Sequence, residues 1–73
     1  MKIFDLLNRG LDSNITSRCG YDVAIYELEQ TRRFIHGCVF CETFKYHLTW
    51  DENGECVDKP KKPFLHYYDL VNR

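Results

Sequence analysis

The feature that most constrains this chain is a strict alternation of large apolar and polar side chains over residues 43–50. The apolar positions are Phe44, Tyr46, Leu48 and Trp50. A spacing of two places them on one face of an extended strand, whereas in a helix they would scatter around the axis. The residues that follow, 51–54, read D-E-N-G, and Asn-Gly favours a type I′ turn because both central residues need positive φ. The segment therefore predicts a β-hairpin whose second strand is short.

The rest of the chain predicts a short N-terminal helix and further strands. Residues 1–10 have apolar side chains at helical spacing and end at Gly10, a residue suited to the αL conformation that ends helices. Strands are predicted near residues 14–17, 22–28, 33–41, 43–51 and 55–57. A helical alternative for residues 23–34 stays open, because E-L-E-Q-T-R-R contains good helix formers. The predicted fold is mainly β, with the short helix on a small, strongly bent antiparallel sheet of four or five strands, close to an SH3-like barrel.

The chain has 73 residues, which allow one small domain. Two prolines and three lysines predict an exposed loop at 58–63, and residues 64–73 are expected to dock back on the sheet, extended or helical. A chain of this size buries only about 60% of its unfolded surface, so aromatic side chains or self-association must supplement the core. The predicted core consists of Phe4, Leu7, Val23, Ile25, Ile35, Val39, Phe44, Tyr46, Leu48, Trp50, Leu70 and Val71.

Charge and hydropathy exclude some classes of partner. The net charge is −1 at pH 7, which argues against duplex nucleic acid, because proteins that bind it usually carry a basic excess. The apolar runs are only a few residues long, so neither a membrane span nor a signal peptide is expected. A cytoplasmic location follows as the expectation, and the four cysteines are then thiols rather than disulfides.

Residue types that bind zinc occur at His36, Cys38, Cys41 and Cys56. Cys38 and Cys41 form a C-x-x-C, but on a strand residues three apart point to opposite faces. Buried thiols are therefore expected and no cofactor, with a zinc-stabilised mini-domain using Cys and His ligands as the alternative. The chain contains no nucleophile signature and no phosphate-binding glycine loop, so we expect no catalytic residue and no enzyme activity.

Surface binding is the function class that remains. Arg32, Arg33, Lys45 and His47 lie on or beside strands expected to pair, and together they suit a nucleotide or another anionic ligand. The alternative is an ordinary solvated polar face. The candidate protein-contact residues are Phe64, Tyr67 and Tyr68, which alternatively cap the core. We expect a non-catalytic, homo-oligomeric binding protein that sequesters such a ligand or masks a host protein.

Six short motifs are spread over most of the chain: F-D-L at 4–6, T-S-R-C-G at 16–20, V-A-I at 23–25, I-H-G-C-V at 35–39, W-D-E-N-G at 50–54 and Y-D-L-V at 68–71. Their order resembles a family of very small proteins encoded by tailed bacteriophages, which carry T-R-x-G, V-x-I, I-x-G-x-V, W-D-E-N-G and D-L-V. The chain departs from that pattern at Ser17, at Cys19 where Asp is usual, and in the Lys/Pro loop. The resemblance implies a phage accessory β-domain acting inside the bacterial host cell, in host takeover or counter-defence, and it carries over no catalytic residue.

Overall fold

The computed structural model describes residues 2–11, 13–57 and 68–73. Its elements in chain order are α1 (Ile3–Asn8), β1 (Ile15–Ser17), β2 (Asp22–Glu29), β3 (Phe34–Cys41), β4 (Phe44–Trp50) and β5 (Leu70–Asn72). The predicted mainly β class, with one short N-terminal helix and antiparallel strands, is confirmed. The strands form two sheets, in the orders β2-β3-β4 and β1-β5. No helix in the described ranges is long and apolar enough to cross a bilayer.

The structure corrects the predicted secondary structure of two segments. The helical alternative for residues 23–34 is wrong, because this segment contains most of β2 and the first residue of β3. Residues 55–57 form an isolated bridge between Trp50 and Cys56 instead of a strand. The predicted loop at 58–63 and the first part of the docked segment lie outside the described residues. The described end of that segment is extended, since β5 pairs with β1.

The central strand β3 depends on a glycine at its midpoint. Gly37 lies opposite Ile25, and a Cβ added at Gly37 would be only 2.2 Å from the carbonyl oxygen of Ala24. The pairing register shifts immediately afterwards, between Ile25 and Glu27, which leaves Tyr26 as an extra residue in β2. A glycine inside a strand often marks such a bulge or a close approach of two backbones.

The core lies between α1 and one face of the three-stranded sheet. The predicted alternation in β3 is confirmed on this face, where the side chains of Ile35, Val39 and Cys41 are buried. Trp50 and Phe4 are completely buried, and the Trp50 indole N–H donates to the carbonyl oxygen of Tyr68 at 2.9 Å. The remaining buried hydrophobic residues of this cluster are Ile3, Leu7, Ile15, Leu48 and Leu70.

The turn at residues 51–54 joins the helix and β5 to the main sheet. Gly54 N–H donates to the Asp51 carbonyl at 2.9 Å, and Gly54 alone in this turn has positive φ, at 87°. The predicted type I′ turn is therefore wrong, because Asn53 does not adopt positive φ. The carbonyl of Glu52 accepts from Phe4 N–H at 3.0 Å, and that of Gly54 accepts from Leu70 N–H at 2.7 Å. Through these bonds the turn holds α1 and β5 against the main sheet, whereas a simple hairpin turn would project into solvent.

Two buried polar side chains fix the small sheet to the rest of the protein. The Ser17 hydroxyl accepts from Tyr21 N–H at 2.8 Å, and its side chain is completely buried. The Asp69 carboxylate accepts from Cys56 N–H at 2.9 Å, while the Asp69 carbonyl accepts from Arg18 N–H at 2.7 Å. Arg18 and Asp69 belong to the short motifs at 16–20 and 68–71, so those motifs include residues that hold the fold together.

Candidate functional site

The side chains in the first half of β4 are exposed, so the prediction that Phe44 and Tyr46 belong to the core is wrong. The exposed fractions along its apolar face are 68% for Phe44 and 44% for Tyr46, then 9% for Leu48 and 0% for Trp50. The alternation predicts the two faces of β4 correctly, but α1 has six residues and is about 9 Å long, whereas β4 has seven and is about 23 Å long. The helix therefore cannot cover the whole strand, and the described part of the chain leaves the β3–β4 hairpin end of the sheet bare.

Four aromatic side chains form a continuous row on this bare end. The ring centroids lie 6.5 Å apart for Phe44 and Tyr46, 5.6 Å for Tyr46 and Tyr68, and 6.4 Å for Tyr68 and Tyr21. We call Phe44, Tyr46, Tyr68 and Tyr21 the aromatic row. Exposure rises along it from half-buried Tyr21 and Tyr68 to exposed Tyr46 and Phe44. Exposed aromatic area of this kind is enriched at protein interfaces.

Tyr68 anchors the inner end of the row. Burial raises the pKa of its hydroxyl to about 12, and a hydrogen bond with Cys41 adds to that shift. Desolvation is also the first cause of the raised pKa of Tyr21. Of the three predicted protein-contact residues, the structure thus shows Tyr68 capping the core with its side chain half-buried. Phe64 and Tyr67 lie outside the described residues.

The two predicted arginines are already engaged with acidic side chains. Arg32 forms an ion pair with Glu29, with its Nη2 donating to Oε1 at 3.0 Å, and its guanidinium lies 5.0 Å from the Phe34 ring centroid. Arg33 donates to Asp5 at 2.7 Å and to Glu52 at 3.0 Å. These bonds give Arg33 a structural role, because they link α1 to the turn at residues 51–54.

The other two predicted ligand-binding residues lie elsewhere on the sheet. Lys45 pairs with Phe40 and His47 with Cys38, whereas Arg32 and Arg33 precede the opposite end of β3. The structure therefore does not bring these four side chains together. Lys45 and His47 are exposed and share the outer face of β4, the face that points away from α1. Their separation from the arginines leaves no single cluster that matches the predicted anion site.

The outer face of the sheet also contains a shallow groove of about 190 Å³ between the β2 bulge and β4. Tyr26 forms one wall, and its hydroxyl is 3.3 Å from His47 Nδ1. A hydrogen bond with Cys38, followed by desolvation, raises the pKa of Tyr26. Cys38 itself is buried, although it points away from the main core.

A chain of polar side chains crosses the same face. His36 Nδ1 is 3.2 Å from the Thr49 hydroxyl, and His36 Nε2 is 3.0 Å from Glu29 Oε1. Glu29 also accepts from Arg32, and these hydrogen bonds, the one from Arg32 being the larger cause, lower the pKa of Glu29 to about 2. Both ring nitrogens of His36 have a hydrogen-bond partner, Thr49 on one side and Glu29 on the other, and these two bonds fix the orientation of the imidazole.

The metal alternative gains no support from the geometry of the described residues. Cys38 and Cys41 point to opposite faces of β3, as predicted from their spacing. Cys56 lies beyond β4, in the bridge with Trp50. In the described ranges no three His, Cys, Asp or Glu side chains converge closely enough to hold a metal ion.

Comparison with known proteins adds no further constraint. A scan against protein-family models, a search of curated proteins and a search of solved structures each found no match to this chain. The geometry of the sheet and its exposed side chains therefore carries the functional argument.

Sequence reasoning missed the exposed aromatic residues. Phe40 is 45% exposed although the sequence predicted no surface role for it, and Phe44 and Tyr46, which were predicted in the core, are 68% and 44% exposed. The signal that was available is the mismatch between a short helix and long strands. A six-residue helix cannot cover one face of a strand that is more than twice its length.

Proposed function

We propose that this chain is a non-catalytic binding protein that acts stoichiometrically by covering a surface of another protein. The observation that carries the proposal is the concentration of exposed aromatic side chains on the three-stranded sheet. Phe44 and Tyr46 are 68% and 44% exposed on the inner face of β4, where they continue the aromatic row, while Phe40 and Tyr26 are 45% and 57% exposed on the outer face. Monomeric proteins rarely expose contiguous apolar patches of large area without a binding role, and aromatic residues dominate the energetics of interfaces.

A protein target is favoured over a nucleotide or another anionic ligand. Binding an anion at Arg32 or Arg33 requires the ligand to displace Glu29, or Asp5 and Glu52, from existing ion pairs. Displacing those carboxylates offsets most of the gain from the new charge pair. The resemblance to small phage accessory proteins makes the proposed target a protein of the bacterial host, and self-association stays a prediction.

The test compares two exposed apolar surfaces, the outer end of the aromatic row and Leu11. Tagged wild-type protein is mixed with bacterial lysate, excess untagged protein is added as competitor, and the retained proteins are quantified by mass spectrometry. A double variant, Phe44→Ser with Tyr46→Thr, removes the exposed part of the aromatic row. The matched control is Leu11→Ser, because Leu11 is 54% exposed but follows α1 instead of lying on the sheet.

We expect one competable protein, retained at near-equal stoichiometry by wild type and by the Leu11 variant, and lost with the double variant. Equal capture by all three proteins would show that the exposed aromatic residues are not the contact. A nucleotide that co-purifies with the protein in native mass spectrometry and is lost on Arg33→Ala would instead favour the ligand-sequestering function.

A further inference from the structure

Within the described residues, the first part of β4, residues 44–48, has backbone groups without a partner strand on the side away from β3. Val57 N–H donates to the Thr49 carbonyl at 2.9 Å, and Trp50 bridges Cys56 on that same side. In an antiparallel strand, the N–H and C=O of one residue point to the same side and alternate residues repeat the pattern. Lys45 and His47 therefore direct their backbone groups outward, as Thr49 does.

Only the end of this edge is covered in the described part of the chain. The bond from Val57 closes the edge at Thr49, and residues 44–48 pair with β3 on one side only. An edge of this kind is a template for an added strand, and main-chain hydrogen bonds supply much of the affinity when an extended segment docks there.

The two faces of the edge differ in chemistry. Phe44 and Tyr46 point to the inner face and are exposed, so they can cover apolar side chains of an added strand. Lys45 points to the outer face, is exposed, and forms no ion pair within the described ranges. An opposite charge directly across from a strand residue stabilises the pair by about 0.2–1 kcal/mol.

We propose that residues 44–48 bind an extended segment of the target protein as an additional β-strand, in which apolar residues alternate with acidic ones. The apolar side chains lie against Phe44 and Tyr46, and a carboxylate lies beside Lys45. This inference rests on the proposed binding function and specifies how the target is held.

A second copy of the chain fits this edge less well. Antiparallel pairing of residues 44–48 with the same residues of a second copy places Lys45 opposite another Lys45 or opposite His47. Neither side chain supplies a carboxylate, and like charges directly opposite one another are destabilising. A lysine on an exposed edge strand is a common device against self-pairing.

The experiment uses a capped synthetic peptide of about seven residues, a typical strand length, that alternates Val and Glu. Binding is followed by amide chemical shifts and hydrogen exchange of isotopically labelled protein. We expect the amides of Lys45 and His47 to shift and to become protected from exchange. A peptide with Lys in place of Glu should bind more weakly, and added salt should weaken binding of the Glu peptide.

Two perturbations test the main-chain bonds. Lys45→Pro removes one outward N–H without removing a bond to β3, and it should weaken peptide binding about five- to tenfold. Lys45→Thr is the matched control, because it keeps the N–H and removes only the charge. If Lys45→Pro does not fold, N-methylation of the peptide at the residues facing β4 removes the reciprocal donors and should weaken binding similarly.

The outcomes separate this inference from the proposed function. Absence of binding by the Val/Glu peptide, equal binding after N-methylation, or protection confined to other amides would overturn strand addition. A dimer of the free protein with Lys45 and His47 already protected would do so as well. If the captured target is lost with the Phe44 and Tyr46 double variant but keeps full affinity for Lys45→Pro, strand addition is wrong while the binding function stands. If neither change affects capture, both proposals fail.

Discussion

Trp50 and Phe44 occupy the same face of β4, yet the structure predicts very different consequences when each is replaced by alanine. Trp50 is 0% exposed and Phe44 is 68% exposed. A buried aromatic side chain removes about 150–250 Å² from water, which at about 25 cal/mol per Å² gives an upper estimate of about 4–6 kcal/mol. Trp50→Ala also leaves the Tyr68 carbonyl without the indole donor.

The expected loss for Trp50→Ala is about 3–5 kcal/mol, the usual range for truncating a buried aromatic residue. Stabilities of about 0.05–0.15 kcal/mol per residue are typical, so this loss is a large share of what a chain of this size has. Phe44→Ala should change the free energy of unfolding by about 0.5 kcal/mol or less, because its ring is mostly in water already.

Urea unfolding monitored by far-ultraviolet circular dichroism measures both variants on a common scale. The expected result is a large decrease in the midpoint for Trp50→Ala, or an unfolded protein in water, and an unchanged midpoint for Phe44→Ala. Comparable losses for the two variants would refute the argument that α1 leaves the hairpin end of the sheet bare. An unchanged midpoint for Trp50→Ala would remove the central role given to β4.

Three further predictions concern the stability of the protein at low pH and the backbone at Gly37 and Glu42. The pKa of Glu29 is lowered to about 2, so its stabilising contribution is complete above pH 4.5 and is lost as the pH falls toward 2. Glu29→Gln should therefore reduce the dependence of the unfolding free energy on pH between these values. Gly37→Ala should destabilise the protein by about 1–3 kcal/mol in thermal unfolding, because the new Cβ meets the Ala24 carbonyl. Glu42→Gly should stabilise it by about 0.5–1 kcal/mol in the same assay, since Glu42 has a φ of 29° in the β3–β4 turn.

Each of these predictions has its own control. Glu27→Gln should leave the stability at low pH unchanged, because Glu27 forms no ion pair in the described part of the chain; an equal effect would contradict the role given to the bond between Glu29 and Arg32. A fully stable Gly37→Ala variant would contradict the close approach of β2 and β3. Glu42→Ala keeps a Cβ, so a gain equal to that of glycine would show that backbone strain is not the cause.

The fold was predictable to the extent that local periodicity determines it. Alternation identified β3 and β4 and assigned their faces, and it does so because side chains on a strand point to opposite sides in turn. Gly10, with a φ of 75°, follows α1 as expected. The turn type at residues 51–54 was not predictable from Asn-Gly, because hydrogen bonds from Phe4 and Leu70 bind that turn into the interior.

The candidate site was predicted poorly for two physical reasons. Charge alone suggested Arg32 and Arg33, but a cation is available to a ligand only if no nearby carboxylate already binds it, and the partners Asp5 and Glu52 are distant in sequence. Phe44 looked like a core residue because its hydropathy and its position in the alternation match those of Trp50. Neither property says which part of a sheet face is covered.

The sequence by itself determined the class of fold and the two faces of the long strands, because each depends on neighbours in the chain. The tertiary structure alone decided which half of β4 is buried, which charges are neutralised and which backbone edge stays open within the described residues. Those three properties depend on where a short helix, a turn and distant carboxylates come to lie. For this protein, the surface proposed to bind a partner follows from all three.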